Sequence, residues 1–429
     1  MILENHNSGQ RTIQNFVLVF FYFCLLFPTL RALLIGHEES KSLYQLFISA
    51  IPELLILIIA GVVSIQLFLN PFPVLKKIDW VVIGFAVINI VYGTWLAHDF
   101  KIAMYAVRMS YLPIIFYFVA RFAMNKESIN TEKFLSKLLF SLVIVAVIGM
   151  LLYFIFPFVM IYMIHKTGGV VNEYFIIRMT SILWSPVLFG TMMAIGILFY
   201  YYKVLQHFSW IYFLLVLICW ACLLLSVSRG PLVSIIVGII ALTIFARKWK
   251  TTLYVGLGMA VLFYGFTLYT STNNSKSYVS WLSESSVKTV DMNDSMTRVK
   301  FWNSSFDAFK KHPMGNGLGT AGHTGARFLN NNLKPGSAFS TDGWYLKQAV
   351  ETGIIGIATF IIMAAWIFLL MWKSVYQKPF SVLTFLFVFF IMIRIQDLVS
   401  NVSDFYWVAD FYWLLIGIGI NEIYSTRKA

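Results

Sequence analysis

The residues of this chain best suited to chemistry are cations set beside apolar runs, and the first is Arg229 in SVSRGP, residues 226–231. Gly230 and Pro231 open the apolar run that follows, and proline suits the first turn of a helix, where its missing N–H costs nothing. A helix start presents free N–H groups and the positive end of the macrodipole, so Arg229 beside one makes a compact anion site. The same residues also fit an arginine that only anchors a span at the membrane interface. Arg178, in FIIRMTSILWSPVLFG, carries the same two readings. Asp342, ahead of GWYLKQAVE, offers a carboxylate able to accept a hydroxyl proton; it equally suits a helix N-cap, and the two roles are compatible. In HPMGNGLG, residues 312–319, Gly315, Gly317 and Gly319 let the backbone turn tightly or approach a ligand. No GK[ST] follows, so this is not a P-loop.

Membrane spans must position these groups. Hydrophobic residues make up 59% of the 429 and charged residues 12%, which excludes a soluble globule. About twelve apolar runs are long enough to cross roughly 30 Å of hydrocarbon: 16–34, 52–69, 80–97, 102–122, 138–161, 182–202, 208–226, 231–246, 253–269, 343–372, 380–395 and 405–424. The first has no small-residue cleavage site after it and reads as a retained span. Residues 1–270 thus hold spans 1 to 9, 271–342 form an extracytoplasmic loop, and 343–429 hold spans 10 to 12. The formal charge of +13 does not point to nucleic acid, because Lys and Arg in a membrane chain mark the cytoplasmic loops. About fifteen of them fall in the termini and even-numbered connections against about six in the short odd-numbered ones, which puts both termini in the cytoplasm. The same alternation sets Arg178, Arg229 and the long loop on the outer face. Cys24, Cys219 and Cys222 lie inside apolar runs and read as packing residues, with no disulfide framework.

The stretch from Ser295 to Gly356 is the long part of the chain that cannot sit in hydrocarbon, since it gathers Lys300, Lys310, Lys311, Arg327 and Asp342 among glycines. Within it Met296, Val299, Trp302, Phe306 and Phe309 recur at spacings of three and four, which predicts an amphipathic helix against the membrane face, with Arg298 in its first turn. His312 and Pro313 end that helix. Elsewhere, Arg108 lies mid-span, where a charge needs a polar partner that the sequence does not name. Arg394, Asp397, Asp404 and Asp410 gather near the last outer turn as a candidate ion-pair network. Glu351 has Lys347 four residues before it, the spacing of a helical ion pair.

In order, SRG at residues 228–230, Arg298 with Trp302, HPMGNGLG at 312–319, and Asp342 with Leu346, Glu351, Gly353 and Gly356 resemble the O-antigen ligase and polymerase family. Arg178 to Gly190 resembles that family's arginine followed by a small-residue and proline segment, though less cleanly. The resemblance implies an all-α polytopic membrane protein of GT-C-like fold, a metal-independent glycosyltransferase acting on the outer face of the bacterial inner membrane. It implies Arg229, Arg298 and Arg178 as ligands of a diphosphate, and Asp342 as the group that activates an acceptor hydroxyl, with Gly317 and Gly319 beside the substrate.

The ligase branch usually carries histidine, then asparagine, where this chain has Asp342 and Gly343, which favours a polymerase joining repeat units over a ligase capping lipid A core. The polysaccharide is O-antigen, capsule or exopolysaccharide. The expected partners are undecaprenyl-diphosphate-linked oligosaccharides and the bilayer, with a chain-length regulator protein as a further candidate and no nucleic acid. No cofactor or metal is expected, since no DxD-like pair or His/Cys set stands in the outer loop. A flippase or transporter is the reading of another class. Twelve spans suit it, but no internal repeat or paired interrupted helices appear.

Overall fold

The computed structural model describes residues 12–27, 43–69, 75–123, 130–159, 178–183, 185–274, 298–322, 324, 343–377 and 380–426. Among them the regular structure is helical: α1 Thr12–Phe27, α2 Leu43–Leu69, α3 Lys77–Leu96, α4 Phe100–Ser110, α5 Ile115–Ala123, α6 Thr131–Phe154, α7 Pro186–Gln206, α8 Trp210–Ser226, α9 Arg229–Ala246, α10 Trp249–Asn274, α11 Arg298–Lys311, α12 Trp344–Gln377, α13 Val382–Val399 and α14 Tyr406–Thr426. Helices suit a chain this apolar because they satisfy every backbone polar group internally. Eight stretches are long and apolar enough to cross a membrane, with α4 and α5 together forming one of them. Three more apolar stretches, α1, residues 51–65 of α2, and α8, are shorter, while α14 carries Asp410, Asn421 and Glu422 and falls outside both groups.

Local signals set the helix ends. Pro186 opens α7 behind Ser185, whose Oγ accepts from Leu188 N at 3.3 Å, and Asn130 Oδ1 caps α6 by accepting from Lys133 N at 3.0 Å. α7 is the centre of the bundle: every residue from Leu188 to Tyr202 is buried, packed most extensively on α8 and also against α9. α14 packs on α5, α13 on α9, and α12 on α3. α10 stands at the periphery with most of its surface outward.

At one end of the bundle polar pairs, the first of them buried, tie the helices together. Arg121 of α5 grips Asp79 of α3 bidentately at 2.8 and 2.9 Å and also bonds Asn421 of α14, while Glu132 of α6 pairs with Lys203 of α7. The other end, where α8 and α13 finish and α7, α9, α12 and α14 begin, carries the candidate site.

Several expectations meet the structure here. Arg108 finds its partner in Glu53 of α2, with Nε 2.6 Å from Oε1. The acidic cluster near the last turn is not one network. Arg394 pairs with Asp397 at 2.8 Å, but Asp404 turns instead to Lys347, and neither oxygen of buried Asp410 has a hydrogen-bond partner among the described residues. Helical geometry separates them, because Arg394 and Asp397 share a face of α13 whereas Asp404 lies on a short 3-10 turn, Val402–Asp404, that faces α12. The three cysteines are buried and free.

The 34-residue α12 is broken at Gly353, which sits at φ 61° and ψ −153°, a conformation that is essentially glycine's alone. The groups freed by the break are not lost. Val350 O and Glu351 O accept from Asn316 N and Gly317 N at 2.9 Å each, and Ile354 N donates to Pro313 O at 2.9 Å. The loop after α11 therefore stitches the broken helix. α11 itself turns its small residues Ser305 and Ala308 inward, packs on α12, and leaves Trp302 and Phe306 exposed with Lys310 over the Phe306 ring. The exposed surface mixes these rings with Asn303, Ser304 and Asp307.

Candidate functional site

α8 ends on Val227, a β-branched residue at φ 50°, so the turn into α9 is sharp and strained. Arg178 holds it. Its Nε donates to Ser226 O at 3.0 Å, and its Nη2 donates to Val227 O and Ser228 Oγ at 3.1 Å each. Met179 N adds a bond to Leu225 O at 3.0 Å. The guanidinium thus occupies the three residues that lead directly into Arg229, which brings the two arginines to one place. Both are half-buried. Gly190 explains why α7 can come so close: a Cβ there would lie 2.8 Å from Ser226 Oγ and 3.0 Å from Ser228 Cβ.

Ser228 is the N-cap of α9, yet its side chain caps nothing, because its Oγ accepts from Arg178 and donates to Pro186 O at 2.8 Å. The positive end of α9 therefore receives no oxygen from its own cap residue, an arrangement that favours an external anion.

The start of α12 lies beside the end of α13. Gly343 N donates to Asn401 Oδ1 at 2.9 Å, and Gly343, at φ 131°, would bring a Cβ within 3.0 Å of Leu398 O. Gly230, the second residue of α9, faces Val399 and Ser400 at 3.4 and 3.5 Å by the same measure. Asn401 and its neighbours therefore join the start of α9 to the start of α12. Asp342 itself lies outside the described residues, but the residue that follows it is fixed at this junction. Arg298 begins α11, and its side chain lies outside the described part.

Gly317 and Gly319 show the contacts of turn chemistry, one of the two readings open for them. Gly317 N bonds Glu351 O at 2.9 Å and Gly319 N bonds Glu351 Oε1 at 3.0 Å. Both glycines press on the α3–α4 turn, where a Cβ would come within 2.5 Å of Ala97 Cα or 2.6 Å of Ile102 Cγ2. Their close approach is to the backbone of Ala97 and to the side chain and carbonyl of Ile102.

Below Arg229 an apolar groove of about 330 Å³ opens between α9 and α10 over Trp220, lined also by Ile236, Ile240, Gly256, Met259 and Phe263. The indole of Trp220 is fixed by its N–H to Met259 O at 3.0 Å. Gly256 faces open space.

Residues 214–361 match the O-antigen ligase family model. The matched segment runs from α8 through the break in α12. It takes in Arg229, Arg298, the glycine loop, Asp342 and Glu351, and begins 36 residues after Arg178. It covers under half of the chain and is consistent with the O-antigen ligase and polymerase family, a glycosyltransferase-like enzyme family. A search of curated proteins finds no match. Within the O-antigen ligase segment, composition and motif order had pointed to Arg229 and Asp342. The spacing of Lys347 and Glu351 is met by an ion pair at 3.7 Å, whereas the Asp404 and Ser110 partners of Lys347, Asn401, and the Glu53 partner of Arg108 were missed. A lysine within an apolar run was the signal for the first, since an intramembrane charge is expensive unless paired.

Proposed function

We propose that this chain is a polysaccharide polymerase of GT-C-like fold with twelve crossings, its site on the outer face of the bacterial inner membrane. It transfers a growing glycan from undecaprenyl diphosphate to the next lipid-linked repeat unit. The observation that carries the reading is the clamp of Arg178 on the turn that delivers Arg229 to an uncapped helix start, inside or beside the O-antigen ligase segment.

In the reaction proposed, an acceptor hydroxyl attacks the anomeric carbon, the bond from that carbon to the diphosphate oxygen breaks, and the electron pair leaves with the diphosphate. Arg229, Arg298 and the α9 dipole neutralise that charge, and bidentate guanidinium contacts suit a diphosphate. Because these cations are fixed and permanently protonated, the departing charge needs no metal in this scheme. The proton of the hydroxyl passes to Asp342. The prenyl tail descends along α9 into the apolar groove, whose Ile236 lies seven residues, about 10 Å, below Arg229. Gly317 and Gly319 serve the site by closing the loop and not by touching the diphosphate.

Polymer length on blotted gels from a deletion strain tests this. Single repeat units in the deletion strain, restored by wild type and not by Arg229→Ala or Arg298→Ala at equal protein level, are the expected result. The family model carries the ligase description, which favours one second reading: transfer of finished glycan to lipid A core or another acceptor. Long lipid-linked chains that never reach an acceptor in the deletion strain would establish that reading instead.

A further inference from the structure

Lys347 lies in the second turn of α12, five residues past Asp342, and is fully buried. A buried ammonium is costly unless ion pairs and hydrogen bonds surround it. Here they do. Its Nζ bonds the Asp404 carboxylate, donates to Ser110 Oγ at 2.8 Å, lies 3.7 Å from Glu351 Oε2 and stands 4.9 Å over the Trp344 ring. Ser110, at the end of α4, donates in turn to Asp404 Oδ1 at 3.0 Å. Glu351 spends its other oxygen on the loop that follows α11, accepting from Gly319 N at 3.0 Å and Ala321 N at 3.3 Å. Gly322 lets that loop come in, since a Cβ there would sit 2.7 Å from Asp404 Oδ2 and 3.0 Å from Lys347 Cδ.

Through Lys347 and its neighbour Glu351 four pieces of chain are joined: the end of α4, the loop after α11, the turn before α14, and the start of α12 behind Asp342. The partners of Lys347 named here are distinct from those of Arg178, which are Ser226, Val227 and Ser228 at the turn from α8 into α9. Asn401, which bonds Gly343, and Ser400, which meets Gly230, lie where the two groups of elements adjoin.

We infer that Lys347 is a positioning residue for transfer, resting on the glycosyltransferase reading above. It fixes the start of α12, behind Asp342, against the loop that follows α11 without contributing to diphosphate affinity. Misplacement by about 1 Å at a reacting centre costs on the order of a hundredfold in rate. Its loss should therefore appear in turnover and not in binding.

The test uses the full chain in proteoliposomes, with labelled undecaprenyl diphosphate as the binding probe and undecaprenyl-diphosphate-linked repeat units as substrate. Lys347→Met alone would strand two carboxylates, so it is combined with Asp404→Asn, which retains a side-chain carbonyl for Ser110 Oγ. Gly322→Ala disturbs the same junction from outside while leaving every charge in place. Both variants are expected to bind undecaprenyl diphosphate within twofold of wild type and to polymerise at least tenfold more slowly. Turnover within twofold of wild type in a normally abundant variant overturns the inference, as does a binding loss that matches the rate loss. If the double variant fails to accumulate, Gly322→Ala decides alone. A wild-type protein that neither binds the probe nor extends repeats overturns the polymerase reading itself, a result distinct from active wild type with indifferent variants.

Discussion

Nε of Arg178 lies 3.0 Å from the carbonyl oxygen of Ser226, three residues before Arg229. Three acceptors in a row, two carbonyls and a hydroxyl, surround one planar cation. Lysine presents a point charge and cannot meet all three at once. Arg178→Lys is therefore expected to loosen the turn and move Arg229. Polymer length should shift toward single repeats, with activity down at least tenfold at equal abundance. Wild-type polymer in this variant would show that the clamp is dispensable.

The two roles of Asp342 separate cleanly because asparagine caps a helix about as well as aspartate does. Asp342→Asn retains the cap and removes the proton acceptor. Turnover is expected to fall by two orders of magnitude or more, with thermal stability unchanged; general-base assistance is typically about 10²–10⁴-fold. Normal polymer in the Asn variant would assign the residue to capping.

Gly353→Ala places a Cβ 2.3 Å from the Met314 carbonyl carbon and 2.4 Å from Pro313 O, at a backbone conformation that alanine avoids. The strain alone is worth about 1–3 kcal/mol. A lowered midpoint in detergent, followed by tryptophan fluorescence, is the expected outcome. An unshifted midpoint would mean that the loop yields without cost.

Gly256→Leu is aimed at the groove beneath Arg229, and a Cβ at this position meets nothing within 4 Å. Use of undecaprenyl-linked repeats should weaken, while a short-chain prenyl analogue, which does not reach the groove, is used as before. Equal effects on both lengths would remove the groove from the tail's path.

The bundle was legible because its signals are local. Apolar runs and the Gly-Pro opening of α9 each sit within a few residues, as does the periodicity of Trp302 and Phe306. Motif order singled out Arg178 and Arg229 separately, and their meeting at one turn is what the structure adds. What the sequence could not show are pairings across distance: Arg108 with Glu53, 55 residues apart, or Lys347 with Ser110, 237 apart. The glycine loop carried two readings, because close backbone approach leaves the same trace in sequence whether the neighbour is a ligand or, as seen here, Ala97.

The stitched break in α12 bears on how the chain assembles. Asn316 and its acceptor Val350 are 34 residues apart, so the loop emerges from the ribosome well before the carbonyl it will bond. α12 is also too long for one crossing at its full 34 residues, whereas the 24 from Ile354 to Gln377 suffice by themselves at about 1.5 Å each. The 24-residue segment can thus be integrated by itself, leaving the first ten residues of α12 to be claimed by a loop made before them. Closure of the loop on the break becomes a late folding event, separable in time from integration of the helix that carries it.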